Sequence, residues 1–385
     1  MNKNCILIHY HELALKKDNK IWFERILQKN IKLHLNSLPV TNINTYASRV
    51  FIYGIDEKKW DDYSNKLKNV MGLKNASLMH KTDTSITNIE NLTYQIVKEV
   101  NFSSFRITTK RQDKSFKLTS HEINIQVGAY IQNKMNKSVS LNNPDVNVII
   151  EIVRGQAFIG FKKINGYGGL PNGSCETAIS LLSSGIDSPV ASFQMLKRGV
   201  NVVYIHFHSA PATNKQSINN CKKIMKILSN FQPESILYIY PILEIQKLIM
   251  DKIDDKFWII MFRRVMVKLS CMLADEINAK ALITGENIGQ VSSQTLSNVH
   301  AISSISSFPI LRPLAGHNKE EIIKLANTIG TYEYSIAPQQ DCCSFFVPLH
   351  PALKANTQKI EQLESKLNYN KIYEKIIKSR EVYKV

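Results

Sequence analysis

Two serines, a glycine and an aspartate directly follow an apolar run near the middle of the chain. The run AISLL is succeeded by Ser183, Ser184, Gly185 and Asp187, and helix-forming residues begin at Ser188. The first turn of a helix carries unpaired N–H groups and partial positive charge, and small residues let phosphate oxygens approach it. Because a carboxylate repels a bare phosphate, Asp187 predicts a Mg²⁺ ion between the two. This spacing favours a nucleotide phosphate site, with Ser188 as the N-cap of the helix.

The loop is not of the commonest phosphate-binding class, because the G-x-x-x-x-G-K-[ST] motif is absent from the sequence. Pro189 near the helix start is compatible with the first helical positions, and Lys197, Arg198 and Gly199 are typical of a helix end. An ordinary capped turn between a strand and a helix is therefore the alternative interpretation.

The elements that must position this loop alternate between strands and helices. AISLL, NVVYIHF, SILYIY and KALITGE are short apolar runs separated by helical stretches, and a helical tail is expected at the end. This alternation predicts an α/β domain with a parallel sheet covered on both faces, over residues 167–385. Ligands of such sheets bind beyond the carboxyl ends of the strands.

The N-terminal part of the chain has a different order of elements. CILIHY indicates a strand, residues 21–35 a helix, and two short strands and a helix ending near Gly72 follow. The order β-α-β-β-α predicts a ferredoxin-like α+β domain over residues 1–76. A second domain is expected over residues 77–166, and the segment NGYGGLPNG is interpreted as a linker.

A basic cluster in the second domain surrounds Phe105 and Phe116. Its cations are Arg106, Lys110, Arg111, Lys114 and Lys117. Interleaved cations and rings suit phosphates and unstacked bases, and a solvated basic loop is the alternative. The whole chain has 49 Lys and Arg against 32 Asp and Glu, a net charge of +17. This charge favours a polyanionic partner, although a coding bias toward lysine would also produce it.

The length of the chain and the spacing of its cysteines indicate the number of domains and the kind of cysteine chemistry to expect. A chain of 385 residues predicts two or three domains. Neither a membrane-spanning apolar run nor a signal peptide is recognisable, so we expect a cytoplasmic protein with no membrane partner. The six cysteines are scattered except for Cys342 and Cys343 and lack zinc-binding spacing, which favours a redox or nucleophilic role over a structural metal.

The segment LLSSGIDSPVASFQMLKRG resembles the S-G-G-x-D-S loop of the N-type ATP pyrophosphatases, the PP-loop or adenine nucleotide alpha hydrolase-like enzymes. With HYHELALKK, TTKRQDKSFKLTSHEIN, GENIGQVSSQTLSN and the stretch from LRPLAGHNKEEII to CCSFFVP, the resemblance covers nearly the whole chain. It is to the tRNA 4-thiouridine synthetases, also called tRNA uracil 4-sulfurtransferases. This family implies a ferredoxin-like domain, a THUMP domain that binds RNA and a PP-loop domain.

The resemblance also implies a reaction. ATP adenylates O4 of the uridine at tRNA position eight with loss of pyrophosphate, and a cysteine persulfide then delivers sulfur to C4 as AMP leaves. The carbonyl oxygen leaves readily only once it carries a phosphoryl group, so dividing the reaction makes each step accessible. Further implications are a cysteine desulfurase as sulfur donor, a homodimer and a link to thiamine biosynthesis.

The family's motifs assign roles to residues of this sequence. The nucleotide would be bound by Leu181, Leu182, Ser183, Ser184, Gly185, Ser188, His206, Phe207, Arg263, Gly285 and Gln294. Asp187 would act through Mg²⁺, and Lys319 would stabilise charge on the α-phosphate. With Pro348 as the anchor, Cys343 matches the catalytic cysteine, and Cys342 is the alternative.

The chain departs from the family's pattern in two respects. Ser184 stands where the family usually has a glycine, and this costs stability if the position needs a positive φ. The chain also resembles the short type, in which no C-terminal rhodanese-like domain supplies a second cysteine. Two rival functions follow: a PP-loop amide ligase acting on RNA, which needs no cysteine, and a catalytically degenerate tRNA-binding protein.

Overall fold

The computed structural model describes residues 4–16, 18–337, 346 and 348–385. The chain divides into two compact units, Met1–Pro171 and Asn172–Val385. This division falls slightly after the predicted boundary between residues 166 and 167. Within the described ranges, no helix is both long and apolar enough to cross a bilayer.

The first unit is built on one mixed sheet. Its described strands are β1 (Asn4–Tyr10), β2 (Asn42–Tyr46), β3 (Arg49–Tyr53), β4 (Leu73–Asp83), β5 (Ser104–Arg111), β6 (Ser138–Val139), β7 (Val146–Val153), β8 (Gln156–Gly160) and β9 (Lys163–Asn165). Its described helices are α1 (Lys20–His34), α2 (Trp60–Leu67), α3 (Ile86–Val97) and α4 (Ser120–Met135). The strand order is β2-β3-β1-β4-β8-β7-β5-β6, and β9 pairs with β4.

The predicted ferredoxin-like order is confirmed in the first part of this sheet. Strands β2, β3, β1 and β4 are antiparallel neighbours, with α1 and α2 between them in sequence. The apolar side of α1 buries Phe23, Leu27 and Ile31 at the helical spacing that predicted it. Helix α2 ends at Leu67, earlier than predicted, because a turn bond from the Val70 N–H to the Leu67 carbonyl precedes β4.

Strand β4 belongs to both N-terminal domains. It pairs with β1 through residues 73–80 and with β8 through residues 80–83. The predicted domain boundary between residues 76 and 77 therefore lies inside a continuous strand. Sequence patterns locate helices and turns better than they locate the point where one sheet passes from one domain to the next.

A buried carboxylate connects strands of these two domains. Glu151 on β7 is 1% exposed, accepts a 2.6 Å hydrogen bond from Arg49 Nε on β3, and lies 3.0 Å from His9 Nε2 on β1. Burial would raise the pKa of Glu151, but the hydrogen bonds and charges of His9 and Arg49 hold it below its ordinary value.

The second unit is the predicted parallel α/β domain. Its described strands are β10 (Thr177–Leu181), β11 (Asn201–His208), β12 (Ile236–Pro241), β13 (Ala281–Ile283), β14 (Ile310–Leu311) and β15 (Glu381–Lys384). Its described helices are α5 (Asp187–Leu196), α6 (Gln216–Leu228), α7 (Leu243–Lys252), α8 (Trp258–Glu276), α9 (Leu296–Ser303), α10 (Lys319–Ile329), α11 (Tyr332–Ser335), α12 (Thr357–Glu364) and α13 (Asn370–Lys378).

The strand order in this unit is β14-β13-β10-β11-β12-β15. Strands β14 to β12 are parallel, as predicted, and β15 is antiparallel at the edge. The predicted helical tail is only partly correct, because α12 and α13 are followed by β15. Residues 381–384 are held as a strand by hydrogen bonds to β12. The four residues EVYK are too few for their pattern to predict a strand.

Candidate functional site

A cavity of about 200 Å³ lies at the carboxyl ends of β10, β11 and β13. Its lining includes the predicted residues Leu181, Leu182, Ser183, Gly185, Asp187, Ser188, His206, Phe207, Arg263, Gly285 and Gln294. It also includes residues that the sequence analysis did not name: Met266, Val267, Thr284, Glu286, Ile302, Ile310 and Arg312. The fold thus brings the predicted nucleotide residues to one place, with Ser184 outside the lining.

The loop after β10 is held by hydrogen bonds between its own serines. Ser188 Oγ accepts from the Ser183 N–H at 2.8 Å and donates to the Ser183 carbonyl at 3.1 Å. Helix α5 begins at Asp187, so the prediction that Ser188 is its N-cap is wrong. The Ser188 hydroxyl is turned back toward the loop instead of capping the helix, and the loop closes into a compact turn before the first helical N–H groups.

Ser184 does not require the conformational freedom of glycine. Its φ is not positive and its side chain is fully buried. The backbone strain considered for a serine at this position is therefore absent. Ser183 and Gly185 line the cavity, and Ser184 does not.

Gly285 lies where backbone atoms approach closely. A Cβ atom at this position would lie 2.6 Å from Ser188 N and 2.8 Å from Asp187 C, inside normal contact distance. Gly285 follows β13 and packs directly on the first turn of α5. The absent side chain therefore allows the β13 loop and the phosphate loop to meet.

The apolar part of the cavity suits a flat aromatic ring. Phe207 is 5% exposed at the end of β11, and Leu181, Met266 and Ile302 provide further apolar lining. His206 is buried, and its Nδ1 lies 2.9 Å from the Leu182 carbonyl. This contact favours a proton on Nδ1 and fixes the imidazole against the loop after β10.

Lys319 lies beside the phosphate loop. Its Nζ is 2.7 Å from Asp187 Oδ1, and the two side chains are 42% and 22% exposed. Lys319 is the first residue of α10, whose start is fixed by a capping box between Asn318 and Glu321. The start of α10 therefore places the positive charge of Lys319 next to the Asp187 carboxylate, which was predicted to act through Mg²⁺.

An ionic network joins Glu286 to Arg263 and Arg312 in the cavity lining. The sequence analysis named Arg263 but did not name Glu286 or Arg312. Glu286 Oε1 accepts from Arg263 Nη1 at 2.8 Å, and Oε2 accepts from Arg312 Nε at 2.7 Å and from Thr284 Oγ1 at 3.0 Å. Thr284 and Glu286 follow β13, and Arg312 follows β14. Their positions just after parallel strands are the signal that could have identified them.

The basic cluster of the first unit separates into two groups. Arg106 Nη1 donates to the Leu141 carbonyl at 2.7 Å, and Arg111 Nη1 donates to the carbonyls of Phe116 and Leu118 at 2.5 and 2.9 Å. These two guanidinium groups therefore support local backbone.

The remaining members of the cluster, Lys110, Lys114 and Lys117, are exposed. Phe105 is 1% exposed and packs in the core, so the idea that it stacks on bases is wrong, whereas Phe116 is half-buried. The three lysines are the members of the cluster best placed to meet a phosphate backbone.

The predicted sulfur carrier Cys343 and its alternative Cys342 lie outside the described residues. Of the described cysteines, Cys5, Cys221 and Cys271 are buried and Cys175 is exposed. Burial raises the pKa of the Cys5 thiol to about 12. Cys175 precedes β10 and therefore lies at the edge of the sheet opposite the cavity.

Three family descriptions match successive parts of the chain. "ThiI ferredoxin-like domain" matches residues 5–77, "THUMP domain" residues 83–162, and "Thiamine biosynthesis protein (ThiI)" residues 173–369. The order of domains inferred from the resemblance is thereby confirmed.

Relatives match over the full length. A protein named "Probable tRNA sulfurtransferase" from Thermoanaerobacter sp. (strain X514) is 38% identical over 370 residues, which cover 96% of this chain and 97% of the relative. A protein of the same name from Thermus thermophilus is 33% identical over 97% of this chain and 92% of the relative.

Solved structures agree with these relatives. A "4-thiouridine synthetase - RNA complex with bound ATP" has a TM-score of 0.89 and 34% identity, with 99% of each chain covered. PH1313 from Pyrococcus horikoshii Ot3 has a TM-score of 0.67 and 25% identity, over 85% of this chain and 99% of that one. Both the sequence and the fold therefore show that this chain belongs to the ThiI family, with a ferredoxin-like, a THUMP and a PP-loop domain in that order.

Proposed function

We propose that this chain is an ATP-dependent tRNA sulfurtransferase that converts a uridine of tRNA into 4-thiouridine. The observation that carries the proposal is the cavity of the second unit, which joins a serine-rich turn at a helix start to an apolar pocket. The first feature suits phosphates and the second suits adenine. Membership of the ThiI family, and the bound ATP and RNA of the similar synthetase structure, support this assignment.

In the proposed first step, uridine O4 attacks the α-phosphorus of ATP and pyrophosphate leaves. The loop from Ser183 to Ser188 lines the cavity at the start of α5, where the first helical N–H groups would hold the departing pyrophosphate. Lys319 lies beside the same loop, where its charge would stabilise negative charge that develops on the α-phosphate. Leu181 and Phe207 would hold the adenine ring and exclude water from this part of the cavity.

Asp187 fits a Mg²⁺ ion carried on the phosphates of ATP. Mg²⁺ is commonly held by one or two carboxylates together with substrate phosphates, and it would neutralise part of their charge. Across the described parts of the chain no cluster of three or more His, Cys, Asp and Glu side chains could form an all-protein site.

In the proposed second step, the terminal sulfur of a Cys343 persulfide attacks C4 and AMP leaves. A thiol then breaks the S–S bond, so that sulfur stays on C4 and Cys343 is left in a disulfide. The described cysteines are poor alternatives, because three are buried and Cys175 is at the opposite edge of the sheet. A cysteine desulfurase would load the persulfide.

The experiment that tests this function combines the purified full chain with unmodified tRNA transcript, Mg-ATP, a cysteine desulfurase and cysteine. We expect near-ultraviolet absorbance of 4-thiouridine in the tRNA, accompanied by AMP. A transcript with cytidine at position eight should gain no such absorbance. AMP without thiouridine would favour the amide-ligase alternative, and tRNA binding without AMP would favour a degenerate enzyme.

Removing the three exposed lysines of the basic cluster should weaken tRNA binding. We expect Lys110→Ala, Lys114→Ala and Lys117→Ala together to lower affinity about tenfold and to reduce the slope of log K against log salt by up to about three. The reason is that each lysine that meets a phosphate releases about one counterion. Titration of labelled tRNA at several salt concentrations measures both quantities.

The matched control removes the same charge from the second unit. Lys226, Lys280 and Lys371 are exposed in that unit. Their combined replacement by alanine should change the salt slope by less than one. Equal effects of the two triple variants would mean that only the net charge of the chain matters and that the cluster is not an RNA site.

A further inference from the structure

Helix α8 carries two adjacent arginines with opposite surroundings. Arg264 is 2% exposed, and its guanidinium donates to Glu364, Ser304 and the Ala301 carbonyl. Arg263 lines the nucleotide cavity, and its side chain is 24% exposed. The Arg264 guanidinium therefore uses its donors in buried hydrogen bonds, whereas the Arg263 guanidinium lies in the cavity proposed for ATP.

The carboxylate of Glu286 fixes the direction of Arg263. Glu286 is 6% exposed, and its Oε1 holds Arg263 through Nη1 alone, at 2.8 Å. Arg312 occupies the other oxygen and is itself directed to Ser303, because its Nη2 donates to Ser303 Oγ at 2.6 Å. Glu286 therefore stands between two guanidinium groups and is anchored on the side away from Arg263.

We propose that Glu286 is a positioning residue for ATP binding, which acts by holding Arg263 in the orientation that contacts the nucleotide. The inference rests on the proposed function to the extent that ATP is the ligand of this cavity. The anchoring by Arg312 and Thr284 makes Glu286 a fixed support, so Arg263 enters the cavity with one N–H group committed and the remaining donors available to a ligand.

The direction in which ATP affinity changes when Glu286 is removed distinguishes a positioning role from an effect of local charge. ATP is an anion, so loss of the Glu286 carboxylate would strengthen ATP binding if only the local charge mattered. If orientation matters more, the same loss weakens binding because Arg263 no longer has a defined place. The two explanations therefore predict opposite changes in the dissociation constant.

The test is a double-mutant cycle on the full chain, with the Kd for Mg-ATP measured by calorimetry. We expect Glu286→Ala and Arg263→Ala each to raise the Kd about tenfold or more, and the double variant to be within about twofold of Arg263→Ala. This loss of additivity is the signature of action through Arg263, which a general loss of stability would not produce. The KM for ATP should rise accordingly, with a smaller change in kcat.

A matched control breaks another arginine–carboxylate pair at the end of α8. Glu276 accepts from Arg380 Nη1 at 2.6 Å and from Nη2 at 2.5 Å, and it does not line the cavity. Glu276→Ala should leave the Kd for ATP within about twofold of the wild type.

A second variant keeps the test decisive if Glu286→Ala folds poorly. Glu286→Gln preserves the size of the side chain and can still accept from one arginine, so its Kd should lie between those of the wild type and the alanine variant. Tighter or unchanged ATP binding by either variant, or full additivity in the cycle, would overturn the inference. Failure of the wild type to bind ATP would instead overturn the proposed function, and the inference with it.

Discussion

We expect serine in place of Cys343 to abolish 4-thiouridine formation while ATP binding stays at the wild-type level. A hydroxyl cannot carry a persulfide, so the sulfur has no covalent carrier on the chain. The lining of the cavity, as far as the described residues show it, comes from other parts of the chain, so we expect its affinity for ATP to stay the same. Absorbance of the modified tRNA measures the first quantity, and calorimetry with Mg-ATP measures the second.

Cys342→Ser is the control for this result, because it removes the neighbouring thiol and leaves Cys343 in place. It should keep most of the activity of the wild type. The reverse pattern, with Cys342 required and Cys343 dispensable, would assign the persulfide to Cys342. Full 4-thiouridine formation in both single variants would contradict the assignment of the persulfide to Cys343 alone, and loss of activity in the double variant would then show that the two thiols replace each other.

Alanine in place of Gly285 should weaken ATP binding about a hundredfold. The new methyl group would lie 2.6 Å from Ser188 N, so either the β13 loop or the first turn of α5 must move by roughly 1 Å. Such a displacement changes the positions of the N–H donors that the phosphates need. Overpacking of this kind also costs about 1–3 kcal/mol of unfolding free energy. Calorimetry and thermal unfolding report the two effects separately.

Gly316 provides the comparison, since a methyl group there meets no atom within 4 Å. Gly316→Ala changes the same residue type in the same unit and should leave the Kd for ATP unchanged. Wild-type affinity in Gly285→Ala would mean that the two loops adapt without cost, and the close approach would then have no role in the site.

Much of this architecture follows from local sequence patterns. The apolar runs around Ile179 and Val203 predicted adjacent parallel strands, and the two strands pair through those residues. The serine-rich turn after β10 predicted a phosphate loop, and the turn lines the cavity. The strand prediction is confirmed because the periodicity of burial acts over a few neighbouring positions, and the phosphate role of the turn stays a prediction.

Other features depend on contacts between distant parts of the chain. Arg263, Glu286 and Arg312 come from three separate segments, and only the tertiary fold brings their side chains within hydrogen-bond distance. Ser188 was assigned to a cap because its residue type is typical of one, but its hydroxyl bonds Ser183. Local propensity identifies what a side chain can do, and the partners present in the fold decide which of those actions it performs.

The strand β4, with one edge on β1 and the other on β8, has a consequence for how the chain unfolds. A strand that completes two domains cannot detach from one without exposing backbone hydrogen-bonding groups of the other. The ferredoxin-like and THUMP domains should therefore melt together in a single cooperative transition. In the language of hydrogen exchange, they form one foldon, and amides in the middle of β4 should be among the slowest to exchange in the N-terminal unit.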